Sequence, residues 1–209
     1  MRIISFKDNY FDENAYLIKD ETGITIIDPG FNFKDINEFL KDNSLTPSRI
    51  LLTHGHIDHF GEADLLIKEY GDIPIYISEK DYGMLTDNSI NCSEMYYKKF
   101  KFESIKLVKT VDDKERVESF IFHHTPGHTR GSMVIEYKGF LFTGDTLFKG
   151  TIGRTDLPSG SMGDMNYSLK YIISSFKKEI VILPGHGPKS TLKEELKDNM
   201  YLNDKRRSF

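Results

Sequence analysis

The sequence predicts an α+β protein in which two mixed β-sheets face each other with helices outside. Four short apolar runs, residues 24–27, 49–53, 140–143 and 180–183, read as buried strands. Segments with helical spacing lie between them, as in Phe33, Ile36, Phe39 and Leu40. The second half also repeats the grammar of the first. The expected organisation is therefore a single domain over 1–209 with two similar halves, roughly 1–112 and 113–209.

In chain order, residues 2–6 and 15–19 are strands joined by the polar turn Asp8–Asn14. The strand 24–27 ends in Asp28-Pro29-Gly30, where proline and glycine open a loop. A helix over 33–42 leads to the strand 49–53, and Phe60, Ala63, Leu65, Leu66, Ile67 and Tyr70 predict a helix after it. Pro74–Ile77 is a short strand, with Ser78 as the N-cap of a further helix. Within 87–110, Met95–Phe102 is aromatic and basic together, and reads as an edge packing on the core rather than as a substrate-covering lid. Residues 119–124 form a strand ending in Thr125-Pro126-Gly127-His128. A hairpin follows over 133–137 and 140–143, turning at Lys138-Gly139 and ending in Gly144-Asp145. A helix over 166–177, the strand 180–183, the turn Pro184–Pro188 and a closing helix over 191–202 complete the chain, with a charged, frayed tail at 203–209.

Composition excludes several function classes. A net charge of −4 and a pI near 6.0 supply no basic field for a nucleic-acid backbone. Cys92 is the only cysteine, which rules out an internal disulfide and a multi-cysteine zinc site. The first residues lack a signal-peptide core, and no apolar run is long enough to span a membrane. A cytoplasmic protein, monomeric or homodimeric, with no membrane partner is expected.

The chemistry concentrates in Thr53–His59. His54, His56, Asp58 and His59 put four metal-ligand side chains into six consecutive positions, at a switch from strand to helix. His54 and His56, two apart on extended backbone, point to one face, while Asp58 and His59 face another way. Three more candidates stand in loops after strands: His128, Asp145 and His186. Pooled, these residues fit two metals. His54, His56 and His128 make one face, Asp58, His59 and His186 a second, and the Asp145 carboxylate can bridge them. Two such ions share a water and bring its pKa from about 15.7 toward about 7, so no serine or cysteine nucleophile is required. Asp28 is expected to accept a hydrogen bond from a ligand histidine. His124 could play a similar part, and His123 is expected to be solvated.

These residues, in this order, resemble the metallo-β-lactamase-fold hydrolases over essentially the whole chain. Thr125-Pro126-Gly127-His128-Thr129 and Gly144-Asp145-Thr146-Leu147-Phe148 look like glyoxalase II and its relatives. Ile152-Gly153-Arg154-Thr155-Asp156-Leu157-Pro158 is similar to a segment of compact glyoxalase II-like proteins and of persulfide dioxygenases. The resemblance implies a four-layer αββα sandwich with metals at one edge, and the same ligand partition with Asp145 as bridge. Only about two dozen residues follow His186, so the helical C-terminal domain that binds glutathione in full-length glyoxalase II is not expected. True β-lactamases of this fold commonly place cysteine in the second metal site, and here Asp58 and Asp145 stand at the acidic positions.

The resulting expectation is a binuclear metallohydrolase of a small-molecule thioester or related acyl ester, of the S-lactoylglutathione type. Two divalent ions, zinc with iron or manganese as alternatives, would carry a bridging hydroxide. Asp58 would orient it and Asp145 would bridge the ions, and the leaving thiolate needs no dedicated acid. Arg154 is either an anchor for its loop or a substrate contact. The alternative is a mononuclear iron persulfide dioxygenase using His54, His128 and Asp145. A β-lactamase, a lactonase or a non-catalytic metal-binding domain ranks below both.

Overall fold

The computed structural model describes residues 2–96 and 100–203. The chain divides into two compact units, 1–111 and 112–209. Each is built on one six-stranded mixed sheet with helices, as the sequence predicts.

In the first unit, β1 (Arg2–Lys7), β2 (Asn14–Asp20) and β3 (Gly23–Ile27) pair antiparallel. β4 (Arg49–Leu51), β5 (Ile75–Ser78) and β6 (Val108–Val111) extend the sheet in parallel, in the order β1-β2-β3-β4-β5-β6. Parallel neighbours need a crossover. The helix α1 (Phe33–Asp42) supplies it between β3 and β4, and α2 (Ile57–Phe60) with α3 (Ala63–Tyr70) between β4 and β5. Leu17, Ile26, Ile50 and Ile75 of the sheet form a buried core with Ile36, Leu40, Ala63 and Leu66 of the helices. Because β3 and β4 run side by side, with Ile27 opposite Leu51, the loops leaving their C-terminal ends start at one sheet edge. Those loops carry Asp28 and the histidine cluster.

The second unit repeats this device. β7 (Arg116–Val117), β8 (Phe120–His124), β9 (Met133–Tyr137) and β10 (Phe140–Gly144) form a meander. Lys138 and Gly139 both have positive φ, the signature of a two-residue primed turn. A small hairpin, β11 (Leu147–Phe148) and β12 (Thr151–Ile152), precedes the helix α4 (Met162–Ser175). β13 (Val181–Pro184) then enters parallel to β10, followed by β14 (Ser190–Thr191) and α5 (Leu192–Asp198). The sheet order is β14-β13-β10-β9-β8-β7. Met165, Leu169 and Ile172 recur at helical spacing on α4 and are buried with Leu141, Ile182 and Leu192. Parallel pairing of β10 with β13 starts the loops of Asp145 and His186 at one edge.

Several boundaries differ from expectation, each for a local reason. The helix after Ser78 is replaced by a single 3₁₀ turn, Tyr82–Leu85. There Asp81 turns its carboxylate to the Gly55 N–H at 3.1 Å instead of extending a helix. The helix expected from Phe60 divides into α2 and α3 at Glu62, whose backbone leaves the helical region at φ −109° and ψ 14° while its carboxylate accepts from Phe33 N–H. α4 begins four residues earlier than 166, because Ser161 caps it by accepting from Asp164 N–H. α5 stops at Asp198, short of 202, because Asn199 turns its side chain to other carbonyls. β6 was not expected. Of the aromatic segment, Phe102 is buried and both Phe100 and Phe102 pack edge-on against Phe60, while Tyr97, Lys98 and Lys99 lie outside the described residues. The tail beyond 203 also lies outside them. Among the described residues, no helix is long and apolar enough to cross a membrane.

The Ser161 cap gives a simple check. Ser161→Ala leaves the Asp164 N–H without its side-chain acceptor and should lower stability by about 1 kcal/mol, read as a shift of the urea midpoint at constant m.

Candidate metal centre

In the first unit one carboxylate organises the cluster. Asp28, 2% exposed and in the left-handed region at φ 46°, follows directly on β3. Its Oδ1 accepts from Thr53 N–H at 2.8 Å and its Oδ2 from the Thr53 hydroxyl at 2.6 Å. The same Oδ2 lies 3.0 Å from His59 Nδ1. An ionised carboxylate only accepts, so His59 carries its proton on Nδ1 and turns an Nε2 lone pair outward, 3.9 Å from Asp58 Oδ2. Thr53 has spent its one hydroxyl proton on Asp28. Its oxygen, 3.1 Å from His54 Nδ1, therefore accepts from that ring. His54 Nε2 is left as a lone pair, 3.1 Å from His56 Nδ1, and the two rings stand nearly perpendicular. Asp28 thus fixes the tautomers of two histidines, one directly and one through Thr53.

The loop's path is fixed by backbone contacts. Gly55 passes so close to Met84 and Asp81 that a Cβ there would meet both. Ile57 N–H donates to the Asn91 carbonyl, which starts α2 with Asp58 in its first turn.

Glu13 was missed by sequence reasoning. It is fully buried just before β2, and its Oε2 accepts from the Asn32 side chain at 3.0 Å. Its Oε1 lies 4.0 Å from His59 Nδ1 and has no hydrogen-bond partner among the described residues. Burial pushes this carboxyl well above the ordinary range; His59 opposes the shift, and Asp28, Asp58 and Asp8 add to it. Within the acidic turn Asp8–Asn14, nothing in the sequence sets Glu13 apart from Asp12.

In the second unit three predicted residues converge on one oxygen. His128 Nε2 lies 3.4 Å and His186 Nε2 3.6 Å from Asp145 Oδ2. His128 Nδ1 is 2.7 Å from the Arg154 carbonyl, which can only accept, so the ring is protonated there and Nε2 is again a lone pair. Glycines permit the approach. At Gly127, with φ +143°, a Cβ would collide with the backbone of Met165 at the start of α4. At Gly153 it would collide with the Asp145 carbonyl. The Arg154 side chain forms a two-pronged pair with Asp156, at 2.7 and 2.9 Å, whose hydrogen bonds hold the Asp156 carboxyl down at about 2.

The remaining two histidines, His123 and His124, have other partners. His123 is not solvated: it is buried, 2.7 Å from the Tyr171 hydroxyl and 2.9 Å from Glu136 Oε2. His124 Nε2 meets the Arg130 carbonyl at 2.9 Å.

The model of the metallo-beta-lactamase superfamily matches residues 9–186, most of the chain. The chain belongs to that superfamily. A relative from Haemophilus influenzae, named hydroxyacylglutathione hydrolase GloC, is 33% identical, with 93% of this chain and 95% of that protein covered. Among solved structures, BLEG-1, titled a B3 metallo-beta-lactamase, matches with a TM-score of 0.86 and 31% identity, covering 97% of this chain and all of that one. TTHA1623, solved in a di-iron-bound form, matches equally well at TM-score 0.86 and 30% identity, covering 95% of this chain and all of that one. The chain therefore has the metallo-beta-lactamase fold, and its superfamily is one of metal-dependent hydrolases.

The donor sets fit divalent metal. Imidazole lone pairs facing a carboxylate oxygen are two acceptors in opposition, an arrangement that a cation between them converts to attraction. In a four-coordinate ion with bonds of about 2.0–2.1 Å, ligand atoms lie roughly 3.3 Å apart. The separations here, 3.1 Å for His54 with His56 and 3.4 and 3.6 Å around Asp145, are of that size.

Asp28→Ala would leave the Thr53 N–H, the Thr53 hydroxyl and the His59 Nδ1–H in the interior without their acceptor. A loss of about 2–3 kcal/mol is expected in the metal-free protein, measured by urea unfolding. An unchanged midpoint would show that Asp28 does not organise the cluster.

Proposed function

We propose that this chain is a binuclear metallohydrolase of a small-molecule thioester or related acyl ester, of the S-lactoylglutathione type. The observation that carries the reading is the holding of three rings, His54, His59 and His128, with Nδ1–H engaged and the Nε2 lone pair left for a metal. The name of the Haemophilus relative, matched over nearly its whole length, supports the substrate class. In this reading His54, His56 and His128 would hold one divalent ion, Asp58, His59 and His186 would hold a second, and Asp145 would contribute its carboxylate to the pair. Zinc is the proposed metal, with iron or manganese as alternatives; the di-iron form of TTHA1623 supports a two-metal site.

Two bound divalent ions would lower the pKa of a shared water and polarise the substrate carbonyl. The chain's own residues do the rest. Asp28 keeps the His54 and His59 rings in the ligating tautomer, and the Arg154 carbonyl does so for His128. Asp58, partly exposed in the first turn of α2, accepts a hydrogen bond from the attacking water and orients it toward the carbonyl carbon. The departing thiolate is stable enough to leave without a proton donor. The reading includes action in the cytoplasm, as a monomer or homodimer.

Purified protein should contain about two divalent ions per chain and hydrolyse S-lactoylglutathione or a simpler thioester. Chelation should abolish the activity, and His56→Ala or Asp145→Asn should lower kcat/KM by at least a factor of about 100. One iron per chain, with persulfide-dependent oxygen uptake and no thioester hydrolysis, would replace this proposal with the dioxygenase.

A further inference from the structure

The second unit buries two polar side chains that the proposed chemistry does not use. Glu195 of α5 is 1% exposed and Asn199, just past its end, is 0% exposed. Buried polar groups are costly unless their hydrogen bonds are made; Asn199 Oδ1 accepts from Tyr201 N–H at 3.0 Å, and the other bonds join these two to each other and to one hairpin. Glu195 Oε2 accepts from Gly150 N–H at 2.8 Å and from Asn199 Nδ2 at 2.9 Å. Asn199 Nδ2 also donates to the carbonyls of Thr151 at 3.0 Å and Phe148 at 3.4 Å. Gly150, Thr151 and Phe148 all belong to the β11–β12 hairpin.

That hairpin reaches all three candidate ligands of its unit. It begins two residues after Asp145. Its Phe148 ring stands edge-on to His186, with centroids 5.9 Å apart. Directly after it come Gly153, pressed against the Asp145 carbonyl, and Arg154, whose carbonyl fixes the His128 tautomer. Two strands of two residues each do not hold their own geometry in water.

We infer that Glu195 and Asn199 are positioning residues: the C-terminal helix clamps the β11–β12 hairpin and through it sets His128, Asp145 and His186 for metal. The metal clause rests on the function proposed above; the clamp on the three side chains does not.

Two readouts separate the claims. In metal-free protein, the exchange rate of the His128 Nδ1–H, followed by nitrogen-15 NMR, reports the clamp. Cobalt(II) titration, followed by its visible spectrum, reports the ligands. Asn199→Asp, which loses the amide donors and sets a carboxylate against Glu195, should speed the His128 exchange and weaken cobalt binding, each at least tenfold. Glu195→Gln keeps an oxygen where both donors point and should behave as wild type. Ile172→Val, a core change on α4, should lower stability without moving either readout. If Asn199→Asp does not fold, native-state exchange of the wild type at low urea decides. The Gly150 amide, the Asn199 amide and the His128 ring proton should then open together. A His128 proton that stays protected while the Asn199 amide exchanges, or an Asn199→Asp variant matching wild type in exchange, overturns the inference. Coupled exchange in a wild type that binds no cobalt would leave the clamp standing and remove the metal function.

Discussion

The Asp28 carboxylate is the constraint on which the first unit's cluster depends. Two oxygens take three protons, from Thr53 N–H, the Thr53 hydroxyl and His59 Nδ1. That stoichiometry propagates. A hydroxyl that has given away its proton can only accept, so His54 must present Nδ1–H to Thr53 and keep Nε2 bare. Parallel pairing of β3 with β4 makes this possible, because it starts Asp28 and Thr53 at the same edge. The left-handed backbone at Asp28 is a strained conformation for a side-chain-bearing residue, though aspartate is among those that tolerate it best.

The second unit reaches the same electronic result by other means. A main-chain carbonyl, that of Arg154, does for His128 what a carboxylate does for His59. The difference is electrostatic. The first unit already buries Asp28 beside Glu13, whose carboxyl is driven toward its neutral form, whereas the second brings only the carboxylate of Asp145 to its candidate ligand set. A neutral acceptor adds no further negative charge to that set. Close approach then falls to glycines at 127 and 153, which let backbone stand where a methyl group could not.

Much of this was legible in the sequence because periodicity and punctuation are local. Apolar runs of four, the spacing of Ile36 and Leu40, and the density of donors in 54–59 each lie within one turn or strand. The ligand-type residues are few enough to enumerate. What could not be read depends on partners far along the chain. Glu62 interrupts a helix where its carboxylate meets the distant Phe33 amide, and Asp81 abandons a helix for the amide of Gly55. His123 looked solvated beside His124, yet Tyr171 and Glu136, distant in sequence, enclose it. Glu13 carried no mark at all, since its significance is burial, and burial is a property of the fold. Arg154 was noticed for its side chain, while its carbonyl does the work at His128.

The spacing of the donors also bears on the order in which the chain can assemble. His54, His56, Asp58 and His59 are separated by one residue at most, so their arrangement costs almost no closure entropy. His128, Asp145 and His186 must close loops spanning most of the second unit, at roughly 2 kcal/mol more by the logarithmic scaling of loop length. Local contacts form early and distant ones late. A chain leaving the ribosome therefore presents the whole run of donors in 54–59 before His128, Asp145 and His186 have been synthesised.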